Sequence, residues 1–153
     1  LLYDYRHVYE FMVVIFVQLW KVAMKPGKPL SFGELLDGLG RSVPMLGLPG
    51  NPVSAFATFQ LFAAPYLRLL AGGCLSEQVC QKYPLRLDKT LQPKREEFLR
   101  VALQQNAGEV YLQPFPHQGS GVLSSVVWAT GFARLPRSQV LGDGALVEYL
   151  PFT

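Results

Sequence analysis

The chain has 153 residues, half of them hydrophobic and 16% charged. So apolar a composition excludes a disordered chain, and this length is enough for one large domain or two small ones. The net charge of +3 is too small for the clustered basic face typical of nucleic-acid binding. The longest uninterrupted apolar run, Phe11–Val17, is far shorter than the ~20 residues of a membrane-spanning helix. We therefore expect neither a nucleic-acid partner nor a membrane.

The start of the chain and its cysteines indicate the cell compartment. Asp4 and Glu10 are among several charged residues that open the chain, and no small-residue cleavage site follows. We therefore expect no signal peptide. Without secretion, Cys74 and Cys80 are expected to be reduced thiols of a cytoplasmic protein.

The first half of the chain alternates strand, loop and helix signals. Its pattern predicts a helix over Asp4–Val14 and strands over Phe16–Val22, Leu30–Leu35 and Val43–Leu48, the last of them buried. Two prolines and a glycine exclude regular structure from Met24 to Pro29, so a loop is expected there. This order of elements is typical of an α/β domain.

A long helix is predicted from Pro52 to Ala71. Asn51 is a good N-cap, Pro52 is a good first helical residue, and Gly72 is suited to end the helix. Pro65 lacks an amide hydrogen and is expected to kink the helix. Apolar residues recur at helical spacing and are expected to face a core: Phe56, Phe59, Ala63, Leu67 and Leu70.

After Gly73 the pattern changes to short strands and turns. Strands are predicted around Leu85–Leu87, Phe98–Leu103, Val110–Leu112, Gly131–Leu135 and Ala145–Leu150, with turns at Asn106–Gly108 and Gly142–Gly144. The predicted fold class is therefore α/β followed by a small all-β, barrel-like domain, with the two domains at residues 1–73 and 76–153.

Two loops have the residue types that anion binding requires. In Gly47–Ser54 a strand ends in a loop of glycine and proline that opens a helix, where free backbone amides and the helix dipole attract phosphate. Gly50 lets a ligand approach the backbone, and the Ser54 hydroxyl can add a donor. An ordinary capped turn explains the same pattern.

The second loop has three lysines within eight residues, Lys21, Lys25 and Lys28, with no acid among them. Adjacent ammonium groups repel each other unless an anion or a carboxylate lies between them. Pro26 and Pro29 stiffen this loop and so reduce the ordering cost of binding. The alternative interpretation is a solvated basic loop.

Three further features have weaker signals. Pro116–Gly121 mixes small and polar residues like a contact loop, although a polar turn is the alternative and no orienting acid supports a serine–histidine nucleophile. Arg100 lies in an alternating strand, where a solvated surface position is the default. Asp4 is suited to cap a helix.

Two motifs, KPGKP at Lys25–Pro29 and GLPGNPVSA at Gly47–Ala55, stand in an order and at a distance that resemble the molybdopterin molybdenumtransferases. This is the family of bacterial MoeA and the gephyrin E domain. Leu67–Gly72, the HQGS run from His117 and the LSS run from Leu123 match the same pattern. The resemblance covers nearly the whole chain, and it implies a truncated molybdopterin-binding, MogA-like domain followed by the family's C-terminal β domain.

The resemblance implies completion of the molybdenum cofactor. Molybdate is inserted into adenylylated molybdopterin with release of AMP, and Mg²⁺ assists. It implies catalytic roles for Lys21, Lys25, Arg100 and Ser120, and a role near the metal for Asp4. It assigns ligand binding to a larger set: Lys28, Gly47, Pro49, Gly50, Asn51, Pro52 and Ser54.

The resemblance also implies a homodimer and indicates where this chain departs from the family. The family's N-terminal domains and its Gly-Gly-x-Ser stretch have no counterpart ahead of Asp4, so we expect a C-terminal fragment. The run Phe11–Val17 is also more apolar than the family's usual helix and turn. The alternative hypothesis is a non-catalytic module of the same origin that dimerises or binds a peptide.

Overall fold

A computed structural model describes residues 15–21, 23–27, 29–36, 39–74 and 81–152. The predicted helix over Asp4–Val14, Asp4 itself and Lys28 lie outside these residues. The strands are β1 (Ile15–Lys21), β2 (Met24–Lys25), β3 (Pro29–Leu36), β4 (Ser42–Gly47), β5 (Gln81–Leu85), β6 (Glu96–Asn106), β7 (Glu109–Pro114), β8 (Gly131–Leu135) and β9 (Ala145–Pro151). The helices are α1 (Pro52–Thr58), a π-helical turn (Phe59–Ala63), α2 (Ala64–Leu70) and α3 (Ser124–Trp128).

Strands β1, β3 and β4 form an antiparallel sheet in that order, so the predicted strands at Phe16–Val22 and Leu30–Leu35 are confirmed. The strand predicted at Val43–Leu48 is present as β4, but its predicted burial is wrong. Its first three residues are exposed and its last three are only partly buried. Among the described residues β4 lies at an edge of this sheet, where no further strand pairs with it.

One continuous helical segment runs from Pro52 to Leu70, in agreement with the predicted helix. Asn51 caps its start as expected, and Gly72 follows its end with φ +83°. The π-helical turn precedes Pro65, and the Ala64 amide donates to the Phe59 carbonyl five residues back. Pro65 therefore stands in the first turn of α2, where a missing amide hydrogen costs little.

The apolar stripe predicted on this helix is partly wrong. Ala63 is buried, but Phe59, Leu67 and Leu70 are exposed. A π turn holds an extra residue, so the positions after it rotate by ~100° from a regular α-helical projection. The segment Pro52–Leu70 is also long and apolar enough to cross a membrane, a test that core helices of soluble proteins pass too. A search for uninterrupted apolar runs missed it.

Five strands close into a mixed barrel in the order β6-β7-β5-β9-β8, with β8 pairing back onto β6. The expected all-β, barrel-like second half is thus confirmed. The turn predicted between β6 and β7 is present, and Ala107 and Gly108 both adopt positive φ, as a tight hairpin requires. The barrel interior is filled by one apolar cluster: Leu85, Leu99, Val101, Leu112, Ala133, Leu135, Leu141, Val147 and Tyr149.

A second core cluster joins the helix to the outside of the barrel. Met24, Ala57, Phe98 and Phe132 are buried together, and partly buried aromatic rings of the helix and the C-terminal segment pack around them. Met24–Lys25 also pairs in parallel with the start of β6, although a loop was predicted there. Two residues suffice for that pairing, and the two prolines follow it. The boundary between residues 73 and 76 stays a prediction.

Candidate functional site

The loop ahead of α1 forms a closed cap. The Asn51 side-chain oxygen accepts hydrogen bonds from the amides of Val53 (3.1 Å) and Ser54 (3.3 Å). The Asn51 carbonyl accepts from the Ala55 amide at 2.8 Å. The expectation of free amides is therefore wrong at Val53 and Ser54, because the short polar side chain of Asn51 already satisfies them. Gly50 precedes this cap, and no atom lies within 4 Å of where its Cβ would be.

The KPGKP loop packs directly against this helix. Gly27 has φ +110°, and a Cβ there would lie 2.6 Å from Cγ2 of Thr58 and 3.6 Å from the Ser54 carbonyl oxygen. Pro26 and Gly27 are both buried. The structure therefore brings the lysine-bearing loop and the first turns of the helix into one corner.

Lys25 of this corner forms an ion pair with a carboxylate. Lys25 has a half-exposed side chain, and its Nζ lies 3.2 Å from Oε2 and 3.4 Å from Oε1 of Glu97 on β6. A carboxylate thus neutralises this ammonium group, one of the two possibilities that the sequence left open. Lys21 ends β1, with its backbone paired to Pro29.

Arg100 is the largest fully buried side chain of the described residues, with 1% of its surface exposed. Its default interpretation as a solvated surface residue is therefore wrong. Its Nε donates to Ser125 Oγ (2.8 Å), and one terminal nitrogen donates to the carbonyls of His117 (3.2 Å) and Gly119 (3.1 Å). Burial lowers the pKa of the Arg100 guanidinium, because removal from water penalises the charged form.

The loop that Arg100 contacts also carries Ser120, which is exposed. Gln118 fastens this loop to β6. Its Oε1 accepts from the Arg100 amide (3.0 Å), and its Nε2 donates to the carbonyls of Arg100 and Phe115 (2.9 Å each). Sequence reasoning assigned no role to Gln118 or Ser125, since a single polar side chain in a loop gives no signal of its long-range partners.

A groove of about 1090 Å³ brings several of these residues to one wall. Lys25, Glu97, Arg100 and Gln118 all line it, together with residues of β7, of the segment that follows β5 and of the turn at Asp143. Two residues with a predicted catalytic role, Lys25 and Arg100, therefore share one cavity. Ser120 and the segment Gly47–Ser54 are not among its lining residues.

The described residues contain no group of three histidine, cysteine or acidic side chains placed to hold a metal ion. Glu97, the carboxylate of this corner, is paired with Lys25. The described residues therefore show no site for the Mg²⁺ that the resemblance implies. Asp4, the predicted metal residue, lies outside those ranges.

Fold and site together define a protein that combines a capped helix corner, a lysine loop packed on it and a mixed β-barrel. Two family models match this arrangement in order: the probable molybdopterin binding domain over residues 8–69 and the MoeA C-terminal region (domain IV) over residues 82–152. The chain belongs to the MoeA family of molybdenum cofactor biosynthesis proteins.

Individual relatives agree with this assignment. The chain is 39% identical over 118 residues to the molybdenum cofactor synthesis protein cinnamon of Drosophila melanogaster. The aligned region covers 76% of this chain and 19% of that protein. It is 33% identical over 145 residues to the molybdopterin molybdenumtransferase of Haemophilus influenzae, covering 89% of this chain and 33% of that protein. The chain thus spans between a fifth and a third of these relatives.

A solved structure has the same fold. The molybdopterin biosynthesis MoeA protein from Pyrococcus horikosii superposes with a TM-score of 0.66 at 31% sequence identity. The match covers 90% of this chain and 32% of that protein. The predicted combination of an α/β part and a barrel-like β part is therefore that of MoeA proteins.

Proposed function

We propose that this chain takes part in the insertion of molybdate into adenylylated molybdopterin with release of AMP. The observation that carries the proposal is the contact between Gly27 and the Ser54–Thr58 turn, which holds the lysine loop on the helix start. A cationic loop packed on the first turns of a helix can receive the oxyanions of molybdate, phosphate or AMP. The family relationship supports this substrate class.

Lys25 is suited to bind an anion reversibly. Glu97 holds its ammonium group in place while about half of the lysine side chain stays exposed to solvent. Ion pairs this exposed contribute less than about 1 kcal/mol. A dianion can therefore displace the carboxylate, or share the ammonium group with it, at small cost. The two prolines that flank Gly27 reduce the entropy lost when the loop orders around its ligand.

The other assignments belong to the same proposal. We assign Lys21 and Lys28 to the same anion-binding set, and the segment Gly47–Ser54 to the helix side of the site. We assign substrate contact to Ser120, and a role near Mg²⁺ to Asp4, which lies outside the described residues. The homodimer, the cytoplasmic location and the absence of nucleic-acid and membrane partners complete the proposal.

A second candidate function, a non-catalytic dimerisation module, is favoured by one observation. Leu67, Leu69 and Leu70 on α2 expose between 43% and 57% of their surfaces. Sedimentation velocity of the chain and of a Leu67→Glu variant distinguishes the candidates. A dimer that dissociates in the variant, together with no binding of adenylylated molybdopterin by the parent, favours the module.

Isothermal calorimetry with adenylylated molybdopterin tests the enzymatic proposal. We expect Lys21→Ala/Lys25→Ala to weaken binding at least about tenfold, since two attractive charges are lost from a partly desolvated corner. Lys82→Ala removes an exposed lysine of β5 and serves as the control. Lys25→Ala/Glu97→Gln removes the carboxylate that the single variant would leave unpaired. Unchanged affinity of the double-lysine variant, or an equal loss in Lys82→Ala, contradicts the proposal.

A further inference from the structure

The loop between β7 and α3 is held by side chains rather than by a strand ladder. The Gln118 amide group reproduces the pairing of a neighbouring strand, since it accepts from the Arg100 amide at 3.0 Å and donates to the Arg100 carbonyl at 2.9 Å. The Phe115 amide also donates to that carbonyl, at 3.0 Å. Every backbone group of Arg100 is therefore fastened to this loop.

The Arg100 side chain fastens the same loop from the other side. A guanidinium offers five donors and no acceptor. Here its donors reach the carbonyls of His117 and Gly119 and the Ser125 hydroxyl, which in turn donates to the Val122 carbonyl. Three of the five donors are bound to internal acceptors, in a position that is 1% exposed. These three bonds hold the loop.

The loop needs such anchors because of its sequence. Ser120 stands between Gly119 and Gly121, and glycine gives the backbone more conformational freedom than any other residue. Fixing each residue of such a segment costs conformational entropy. Anchors on the N-terminal side of Ser120 (His117, Gln118 and Gly119) and on α3 (Ser125) bracket the exposed hydroxyl.

We infer that Gln118 and Arg100 are positioning residues that fix the loop presenting Ser120 to the ligand. The inference rests on the proposed function for the role of Ser120, but the anchoring of the loop is a property of this chain alone. It assigns Arg100 a positioning role in addition to the ligand contact that the resemblance implied. If the anchored conformation falls to a tenth of the population, the apparent affinity falls about tenfold.

Two measurements on the full chain test the inference. Amide hydrogen exchange of Phe115 and Val122, whose amides donate to the carbonyls of Arg100 and Gly119, is compared between the parent and Gln118→Ala, with Gln105→Ala, an exposed glutamine of β6, as the control. Binding of adenylylated molybdopterin is measured for Gln118→Ala, Ser120→Ala and the double variant. Should Gln118→Ala fail to fold, Ser125→Ala removes the Nε partner of Arg100 and replaces it in both measurements.

We expect exchange of the Phe115 and Val122 amides to rise about tenfold in Gln118→Ala and to stay unchanged in Gln105→Ala. Gln118→Ala should bind about tenfold more weakly than the parent, while the double variant binds no more weakly than Ser120→Ala. Unchanged exchange overturns the inference whatever the ligand does. Equal losses with and without the Ser120 hydroxyl overturn the link between the clamp and Ser120. Full affinity in Ser120→Ala overturns the proposed role of Ser120, and the exchange result then decides the anchoring alone.

Discussion

Replacing Gly27 with alanine tests whether the lysine loop is seated on the helix. A Cβ at this position would lie 2.6 Å from Cγ2 of Thr58 and 3.4 Å from Cε of Met24. The backbone has φ +110°, a region that residues with a Cβ rarely adopt. Gly27→Ala therefore adds a steric clash to a conformational strain.

The two costs can be estimated separately. Holding a residue with a Cβ in an unfavourable backbone region costs about 1–3 kcal/mol. Forcing one extra carbon into a packed site costs about 1–3 kcal/mol more, because Thr58 belongs to the helix and its own side chain is completely buried. We expect Gly27→Ala to lower the free energy of unfolding by about 4 kcal/mol, which lowers the melting temperature by roughly 10 °C in a chain of this size.

Urea unfolding followed by circular dichroism measures the loss. Gly40→Ala is the matched control, since Gly40 has φ +76° and no atom within 4 Å of its Cβ position; it carries strain without a clash. Thr58→Ser removes Cγ2 and keeps the hydroxyl that donates to the carbonyls of Ser54 and Ala55. In the Thr58→Ser background, Gly27→Ala should therefore cost about 1–2 kcal/mol less.

Strict additivity of Gly27→Ala and Thr58→Ser would refute this reasoning, because two side chains in contact must show a coupling energy. An equal cost for Gly27→Ala and Gly40→Ala would refute it as well. In either case the lysine loop would not lie on the helix, and the cationic corner of the proposed function would lose its geometric basis.

Three further predictions concern the core, the helix cap and the ion pair. Phe132→Ala empties a site among three aromatic rings with centroids 4.8 to 6.3 Å away, and we expect a loss of about 3–5 kcal/mol, seen as a drop of roughly 10 °C in thermal melting. Asn51→Ala should cost about 1 kcal/mol in urea unfolding, and Asn51→Ser should restore most of it. Lys25→Ala should cost less than about 1 kcal/mol relative to the parent. The stability lost in Lys25→Ala should be smaller at 1 M salt, because the ion pair with Glu97 is exposed. A loss of about 3 kcal/mol would contradict this prediction.

The sequence predicted those elements whose signals are local. Asn51, Pro52 and Gly72 mark a helix by their own backbone preferences, and the structure has it from Pro52 to Leu70. The strand over Gly131–Leu135 and the hairpin at Asn106–Gly108 follow in the same way from alternation and turn chemistry.

The predictions that depended on partners distant in the sequence were wrong. Whether Arg100 is buried depends on carbonyl oxygens that lie 17 and 19 residues further along the chain, and no local pattern reveals them. Exposure of β4 depends on its edge position, which only the strand order determines. The pairing of Met24–Lys25 with β6 spans more than 70 residues, so two prolines dominated the local pattern there.

Strand β6 carries one contact residue for each of the two loops of the candidate site. Glu97 and Arg100 are three residues apart on this strand, a rise of about 10 Å along an extended backbone. The first holds the lysine loop, and the second holds the loop of Ser120. The distance between the two points that hold the loops is therefore set by the backbone of β6 and does not depend on the movement of either loop.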